Sequence, residues 1–218
     1  MRLLLRPGVP PHAVRNGSLP VAVAGSVGVV VAGSAAQLVN HAFDLGIGAL
    51  DSAEDGGAFG LVGDLAALSA ATAAWSVLIC IRPVRPTAVV LPPLLTFVAL
   101  DKILRLHDHV PHYLFLYVPL LAVVFVCLVD LVRSMPGTPA RLVTAGLVLL
   151  AASFGLHVLG ERVLLELGLE HVGWARQVKA VVKHGCEVQG WFLVAIGLGS
   201  GLFRSRRAAS SGGERSPG

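Results

Sequence analysis

Charged residues are scarce in this chain. Asp, Glu, Lys and Arg make up only 14% of its 218 residues, whereas an average soluble domain contains about 25%. Hydrophobic residues account for 55% of the chain, and the mean hydropathy is +0.75. So low a charge content excludes an ordinary water-soluble globular domain and predicts a protein of the lipid bilayer.

Several motifs of known chemistry are missing as well. The three cysteines, Cys80, Cys127 and Cys186, lie singly in apolar stretches, which favours small core residues over a disulfide framework or a zinc site. Neither HExxH nor ExxH occurs, and the GLGSG segment near the C-terminus follows no predicted strand, so we expect no nucleotide ligand. No aromatic-rich basic surface is evident, so we expect no nucleic-acid partner.

Long apolar segments, by contrast, are abundant. A helix needs about 20 apolar residues to cross the hydrocarbon core of a bilayer, and six segments approach that length. We therefore predict an all-α polytopic membrane bundle of six transmembrane helices, folded as one domain over residues 1–203 and surrounded by lipid. The basic tail, residues 204–218, is expected to be disordered. The predicted spans are 19–39, 61–81, 87–106, 113–132, 142–160 and 178–203.

The distribution of charge predicts the orientation of these spans. Eleven of the 17 basic residues fall in the N-terminal tail, the two short turns after spans two and four, and the C-terminal tail. Only two acidic residues accompany them, whereas the opposite side has six basic and eleven acidic residues. By the positive-inside rule both termini are cytoplasmic. The Arg-, Ala- and Val-rich composition is typical of GC-rich bacterial coding, so we expect a multi-pass protein of the bacterial cytoplasmic membrane.

Small residues recur at every fourth position in two spans: Ala24, Gly28, Ala32 and Ala36 in span one, and Ala66, Ala70 and Ala74 in span two. Such stripes let helix backbones approach closely. We therefore expect spans one and two to pack tightly through these stripes, and such faces also offer a route to homo- or hetero-oligomers. Gly185 and Gly190 in span six would likewise admit a neighbouring helix.

Polar residues concentrate in one stretch, 98–112, which reads VALDKILRLHDHVPH. At a rise of about 1.5 Å per residue, Asp101 of span three, His157 of span five and Glu187 of span six lie at similar depths near the outer surface. Ionisable residues inside the bilayer are costly and mark functional sites, so we predict a polar His/carboxylate pocket at the extracytoplasmic face. The candidate metal ligands are Asp101, His107, Asp108, His157, His184 and Glu187.

Helical spacing allows contact among these side chains. His184 lies three residues before Glu187 and Lys183 lies four before it, so all three can share a helix face. Imidazoles and carboxylates arranged in this way are what a divalent metal site in a helical bundle requires. We expect spans three and six to meet at their outer ends, where Asp101 and Glu187 can approach only with a cation between them. Arg105, Lys183, a metal ion or a shared proton would serve.

Three segments, FDLG, ALDKILRLHDHVP and KHGCEVQGW, resemble those of uncharacterised bacterial six-span membrane proteins. Those proteins have an LDE-type motif followed by LHE, and a late helix with acidic residues before a glycine. The positions that match this pattern are Asp101, His107, Asp108 and Glu187. Lys102 replaces an acid and His184 lies in a region that is usually richer in glutamate. The resemblance covers most of the chain and implies a six-span fold, without an established activity.

Three classes of function are compatible with these features. The first is a membrane protein with an outer polar pocket that binds a divalent metal or a proton. The second is a metal-dependent hydrolase of a lipid or lipid-linked substrate, in which a carboxylate activates metal-bound water. A fainter likeness to seven-span metal hydrolases of the alkaline ceramidase type points to this class, although the span count and the lack of paired HxxxH argue against it. The third is a scaffold or partner subunit whose polar residues only orient the helices.

Overall fold

The computed structural model describes residues 4–5, 18–50, 57–82, 84–135, 137–169 and 172–212. Within them the chain is almost entirely helical, as predicted. Short 3-10 turns at Gly48–Leu50 and Leu106–His109 follow the first and third helices. The α-helices are α1 (Ser18–Ala42), α2 (Ala58–Cys80), α3 (Pro86–Leu104), α4 (Leu114–Ser134), α5 (Gly137–Glu166) and α6 (Gly173–Gly212), and the two-residue strands are β1 (Leu4–Leu5) and β2 (Ile81–Arg82).

Five of the helices form a closed ring. α2 packs on α3, α3 on α4, α4 on α5, α5 on α6, and α6 returns to α2. α6 is the central element. Its contact with α5 is the most extensive between any two helices, and it also packs on α2 and α1. α1 packs mainly on α6 and is therefore an addition to the five-helix ring rather than one of its members.

The two ends of the ring differ in character. At one end β1 pairs antiparallel with β2, so Leu4 lies opposite Arg82 in the turn between α2 and α3. Pro86 then begins α3, at a position where a helix tolerates proline because the missing N–H would have no intrahelical partner. The opposite end, where α2 begins and α3 ends, carries Asp64, Asp101 and Lys102.

Apolar side chains fill the middle of the ring. Leu91 and Leu95 of α3, Leu128 of α4 and Leu198 of α6 are at most 1% exposed and belong to one continuous core. The alanine stripe of α2 is part of the same core: Ala66, Ala70 and Ala74 are 0%, 0% and 1% exposed. Span two therefore uses its small residues for close packing, as predicted, although its neighbours are α3 and α6.

The backbones of α5 and α6 touch where two glycines meet. A Cβ added at Gly146 would lie 2.7 Å from the carbonyl oxygen of Gly190, and a Cβ at Gly190 would lie 3.0 Å from that of Gly146. Further along, a Cβ at Gly197 would lie 3.0 Å from the carbonyl oxygen of Pro139. The expectation that Gly190 admits a neighbouring helix is confirmed, and that neighbour is α5.

The expectation that span one packs tightly through its small-residue stripe is wrong. The small-residue stripe of α1 is largely exposed, and a Cβ at Gly28 would meet open space. α1 instead turns Ser26 and Gln37 towards α6. Gln189 Nε2 donates to Ser26 Oγ at 3.1 Å, and Gln37 Nε2 donates to Gln177 Oε1 at 3.0 Å. In apolar surroundings hydrogen bonds between helices decide which face is turned inward, and here they override the small-residue stripe.

Among the described residues, five helices are long and apolar enough to cross a membrane: Ser18–Ala42, Phe59–Cys80, Pro86–Leu104, Leu114–Ser134 and Gly137–Gly160. They correspond to the first five predicted spans, with ends that differ by at most a few residues. α6 contains the sixth predicted span but has several polar residues, Lys179, Lys183, His184 and Glu187 among them, in its first half.

α5 and α6 extend beyond the predicted spans. α5 continues to Glu166 instead of ending at 160, and α6 begins at Gly173 instead of 178. α6 also continues to Gly212, so residues 204–212 are helical where a disordered tail was expected, and residues 213–218 lie outside the described part. Arginine and alanine are good helix formers, and positive charge near a helix C-terminus interacts favourably with the helix dipole.

Gly146→Ala should destabilise the bundle by about 1–3 kcal/mol, because the added methyl group would overlap the backbone of α6. Gly155→Ala is the matched control on the same helix, since a Cβ there meets nothing within 4 Å. It should be neutral or slightly stabilising, because alanine is the better helix former. Thermal unfolding in mild detergent compares the two, and equal melting temperatures would contradict the close contact of α5 with α6 at Gly146.

Candidate functional site

Lys102, near the C-terminal end of α3, organises the polar end of the ring. Its Nζ donates a hydrogen bond to Glu187 Oε1 of α6 at 2.8 Å and lies 3.8 Å from Asp64 Oδ1 of α2. One ammonium group therefore joins three helices. The side chains are 21% exposed for Lys102 and Glu187 and 22% for Asp64, so this charged network of three residues is sheltered but accessible.

Gly63 makes room for the Lys102 side chain. A Cβ at Gly63 would lie 3.2 Å from Lys102 Cε and 3.4 Å from its Nζ, and 3.3 Å from a methyl group of Val188. The lysine stem thus passes close to α2 at Gly63, where no side chain stands in its way. Burying the aliphatic stem while the ammonium reaches polar partners is ordinary behaviour for lysine near a membrane interface.

Asp101 precedes Lys102 in the chain, but its side chain points towards His107 rather than towards α2 and α6. α3 ends at Leu104, Arg105 adopts a left-handed conformation with φ 53°, and the chain turns back on itself. The buried Asp101 carboxylate accepts hydrogen bonds from the backbone N–H of His107 at 2.9 Å and from its Nδ1 at 2.8 Å. Because a carboxylate only accepts, the proton of this pair lies on Nδ1. Asp101 thereby stabilises the turn and holds the His107 ring in one orientation.

His107 contacts aromatic residues around the start of α4. Its ring centroid lies 5.4 Å from that of Tyr113 and 5.9 Å from that of Tyr117. The Tyr113 hydroxyl shares a hydrogen bond of 2.7 Å with Nε2 of His157 on α5. The Tyr117 hydroxyl is buried and has no hydrogen-bond partner in the part of the chain that the structure describes. Polar side chains thus connect the end of α3 to α4 and α5.

Electrostatic interactions extend this connection to α6. His157 interacts with Lys183, Glu187 and His107, and Nδ1 of His184 lies 3.8 Å from Glu187 Oε2. All five helices of the ring therefore contribute to one polar layer. The polar layer consists of Asp64, Asp101, Lys102, His107, Tyr113, Tyr117, His157, Lys183, His184 and Glu187.

Five of the six residues predicted for the site lie in the polar layer, whereas the side chain of Asp108 is outside the described residues. They do not converge on one point but form separate pairs. The pairs are Asp101 with His107, His184 with Glu187, and His157 with Tyr113. The predicted spacing of His184 and Glu187 on one helix face is thus observed. The hydrogen-bond partner of Asp101 is His107 and that of Glu187 is Lys102.

The cation between the carboxylates is Lys102, and the second carboxylate is Asp64 rather than Asp101. Spans three and six do meet at this end, as predicted, but through Lys102. Successive residues of a helix point about 100° apart, so Lys102 turns to α2 and α6 while Asp101 turns to His107. Sequence reasoning missed Asp64, although an acid within an apolar span is by itself a candidate.

The His, Asp and Glu side chains of the polar layer are not arranged as the predicted metal centre requires. No group of three or more His, Cys, Asp or Glu side chains among the described residues could hold a metal ion. Asp64 and Glu187, which are carboxylates from two helices, already share an ammonium that a metal ion would have to displace. The charges present therefore favour an internal ion pair at this position.

One family model matches most of the chain. The model of a family described as "Domain of unknown function (DUF8692)" matches residues 21–200, a range that contains the whole polar layer. No curated protein matches the chain, and no solved structure does.

Double-mutant cycles should rank the two ion pairs of Lys102. The coupling between Lys102→Met and Glu187→Gln should be about 1–3 kcal/mol, because the 2.8 Å contact is a charge-assisted hydrogen bond. The coupling between Lys102→Met and Asp64→Asn should be smaller, because 3.8 Å is too long for a hydrogen bond.

Unfolding free energies in mild detergent give both couplings. Asp130→Asn, which removes a carboxylate near the opposite end of the ring, is the control and should show no coupling to Lys102→Met. A coupling with Glu187→Gln that is indistinguishable from zero would contradict the charged network.

Proposed function

The chain belongs to the DUF8692 family, and we propose that it is a six-span protein of the bacterial cytoplasmic membrane that binds a polar ligand at its extracytoplasmic end. The charged network of Asp64, Lys102 and Glu187 carries this proposal. It joins three helices of the ring, and about a fifth of each side chain stays accessible. Charged groups in a membrane bundle are costly and are kept where they meet water or a ligand.

The position of α6 supports its assignment as the sixth span. It is 40 residues long, or about 60 Å at 1.5 Å per residue, and it lies against α1, α2 and α5. Three of its polar residues are engaged by other helices: Gln177 and Gln189 with α1, and Glu187 with Lys102 of α3. A helix enclosed by membrane-spanning neighbours crosses the bilayer with them.

The pairing of β1 with β2 supports the proposed orientation. It brings the N-terminal tail to the turn between α2 and α3, and both segments are rich in arginine. By the positive-inside rule this end of the ring is cytoplasmic, which turns the polar layer to the extracytoplasmic side. The arginines in these two segments are Arg2, Arg6, Arg15, Arg82 and Arg85.

Two observations favour ligand binding over the alternative functions. A catalytic metal site typically needs three protein ligands and an open position, and the described residues gather no such group. In a scaffold whose polar residues only orient the helices, those residues would pair with one another. Yet the Tyr117 hydroxyl and the Lys183 ammonium form no hydrogen bond or ion pair within the described residues. A bound polar ligand would offset the cost of burying such groups.

Cysteine labelling tests the six-span topology. In a variant without the native cysteines, Ala49→Cys lies between α1 and α2 and should react with an impermeant maleimide added to intact cells. Ser211→Cys lies near the C-terminus and should react only after the cells are permeabilised, because six spans return the chain to the cytoplasm. Reaction of both, or of neither, in intact cells would contradict the topology.

Chemical restoration of the ammonium tests whether the charged network is reachable. Lys102→Cys, again without native cysteines, should lower the melting temperature because Asp64 and Glu187 lose their cation. Treating the folded protein with 2-aminoethyl methanethiosulfonate attaches an ammonium group to this cysteine and should raise the melting temperature again. Methyl methanethiosulfonate adds no charge and should not. Equal restoration by both reagents, or by neither, would contradict an accessible site that requires a cation.

A further inference from the structure

Lys183 of α6 is half-buried and, within the described residues, forms no hydrogen bond or ion pair. The carboxylate on the same helix face, Glu187, is already engaged. Its Oε1 accepts from Lys102 at 2.8 Å and its Oε2 lies 3.8 Å from His184 Nδ1. Glu187 attracts Lys183, whereas the charges of Lys102 and Lys179 repel it. Lys183 therefore shares its attracting carboxylate with Lys102 and His184, at the polar end of a membrane bundle where such charges are expensive.

The antiparallel register of α5 and α6 brings Lys183 to His157. Close contacts between the two helices occur between Gly190 and Leu150 and between Gly160 and Lys179, so each step forward along α6 is a step back along α5. Lys183 follows Lys179 by four residues and shares its helix face. It therefore meets α5 one turn before Gly160, next to His157, and the electrostatic interaction between His157 and Lys183 agrees with this register.

We propose that Lys183, with His157 and His184 beside it, binds the phosphate group of an anionic ligand. The proposal rests on the ligand-binding role proposed above and names the class of ligand. A lysine ammonium is a common phosphate ligand because it brings a point charge and three donors. The imidazoles of His157 on α5 and His184 on α6 both interact electrostatically with Lys183, and their N–H groups are further hydrogen-bond donors for phosphate oxygens.

The surrounding charges favour an anion over a cation at this position. A cationic ligand would meet the ammonium group of Lys183 and that of Lys102, which already occupies the carboxylates of Asp64 and Glu187, and like charges at short range repel strongly where water is partly excluded. A phosphate group instead neutralises Lys183 without competing for Glu187, which Lys102 already holds. Phospholipid headgroups and soluble phosphate compounds present the same group, so the experiment uses both.

The full chain in dodecyl maltoside, which contains no phosphate, is titrated with inorganic phosphate and, separately, with phosphatidylglycerol added to the micelles. Sodium chloride at equal ionic strength and diacylglycerol are the respective controls. A ligand that binds the native state raises the melting temperature with its concentration, so the wild type should respond to at least one phosphate source. Lys183→Gln should weaken that response at least about tenfold, as expected for loss of a charge-assisted hydrogen bond. Arg176→Gln, an exposed position on the same helix, should not.

Each outcome is decisive. A response to inorganic phosphate supports a soluble anion, and a response to phosphatidylglycerol alone supports a lipid headgroup. No response above the controls, or an equal response of Lys183→Gln and wild type, overturns the phosphate site while leaving the accessible Lys102 network to be judged by its own experiment.

Stability without phosphate provides a second measurement. In phosphate-free detergent Lys183→Gln should melt at or above the wild-type temperature, because it removes a half-buried charge that forms no hydrogen bond or ion pair among the described residues. A melting temperature several degrees lower would mean that Lys183 is paired within the fold, and the proposal would fail.

Discussion

The polar end of this bundle depends on a single ammonium group. Without Lys102, the carboxylates of Asp64 and Glu187 would face each other at the end of an apolar ring, where like charges must be separated or neutralised. With it, α2, α3 and α6 are joined at one point, with the nitrogen 2.8 Å from Glu187 and 3.8 Å from Asp64. Gly63 belongs to the same arrangement, because a side chain there would meet the lysine stem. The helices of the ring thus share a hydrophobic core along most of their length and a charged contact at one end.

Much of the fold follows from bilayer thickness, which sets the length of an apolar segment. For this reason the sequence alone predicts the helices to within a few residues at most ends. Which helices are neighbours is less visible. The small-residue stripes of spans one and two look alike in sequence, yet only the stripe of α2 is buried. The orientation of α1 depends on the hydrogen bonds of Gln37 and Ser26 with α6, whose partners are 140 and 163 positions away in the sequence. A single sequence contains no signal for such distant pairs.

The same contrast applies to the site. Depth arithmetic places Asp101, His157 and Glu187 in one layer, and the structure puts all three in the polar layer. The partners depend on details that the arithmetic does not contain. Asp101 meets His107 because α3 ends at a left-handed Arg105, a position where glycine or asparagine is the usual signal. Lys102 reaches Glu187, 85 residues away, because Gly63 leaves a path. The residues predicted as metal ligands therefore have three different kinds of partner. Glu187 and His184 belong to the charged contacts around Lys102, Asp101 and His107 stabilise the turn after α3, and His157 shares a hydrogen bond with Tyr113.

All three lysines of the chain, Lys102, Lys179 and Lys183, lie on the same side as the polar layer, so labelling lysine alone isolates the groups on which this account depends. The most direct test is solid-state NMR of the full chain in lipid bilayers, with 15N-labelled lysine and 13C-labelled glutamate. The account predicts strong dipolar dephasing of one lysine Nζ signal by a glutamate carboxyl carbon, and loss of that dephasing in Glu187→Gln. A wild-type spectrum without such dephasing, or a Glu187→Gln spectrum in which the same lysine signal stays dephased, would contradict the Lys102–Glu187 contact at the centre of the structure.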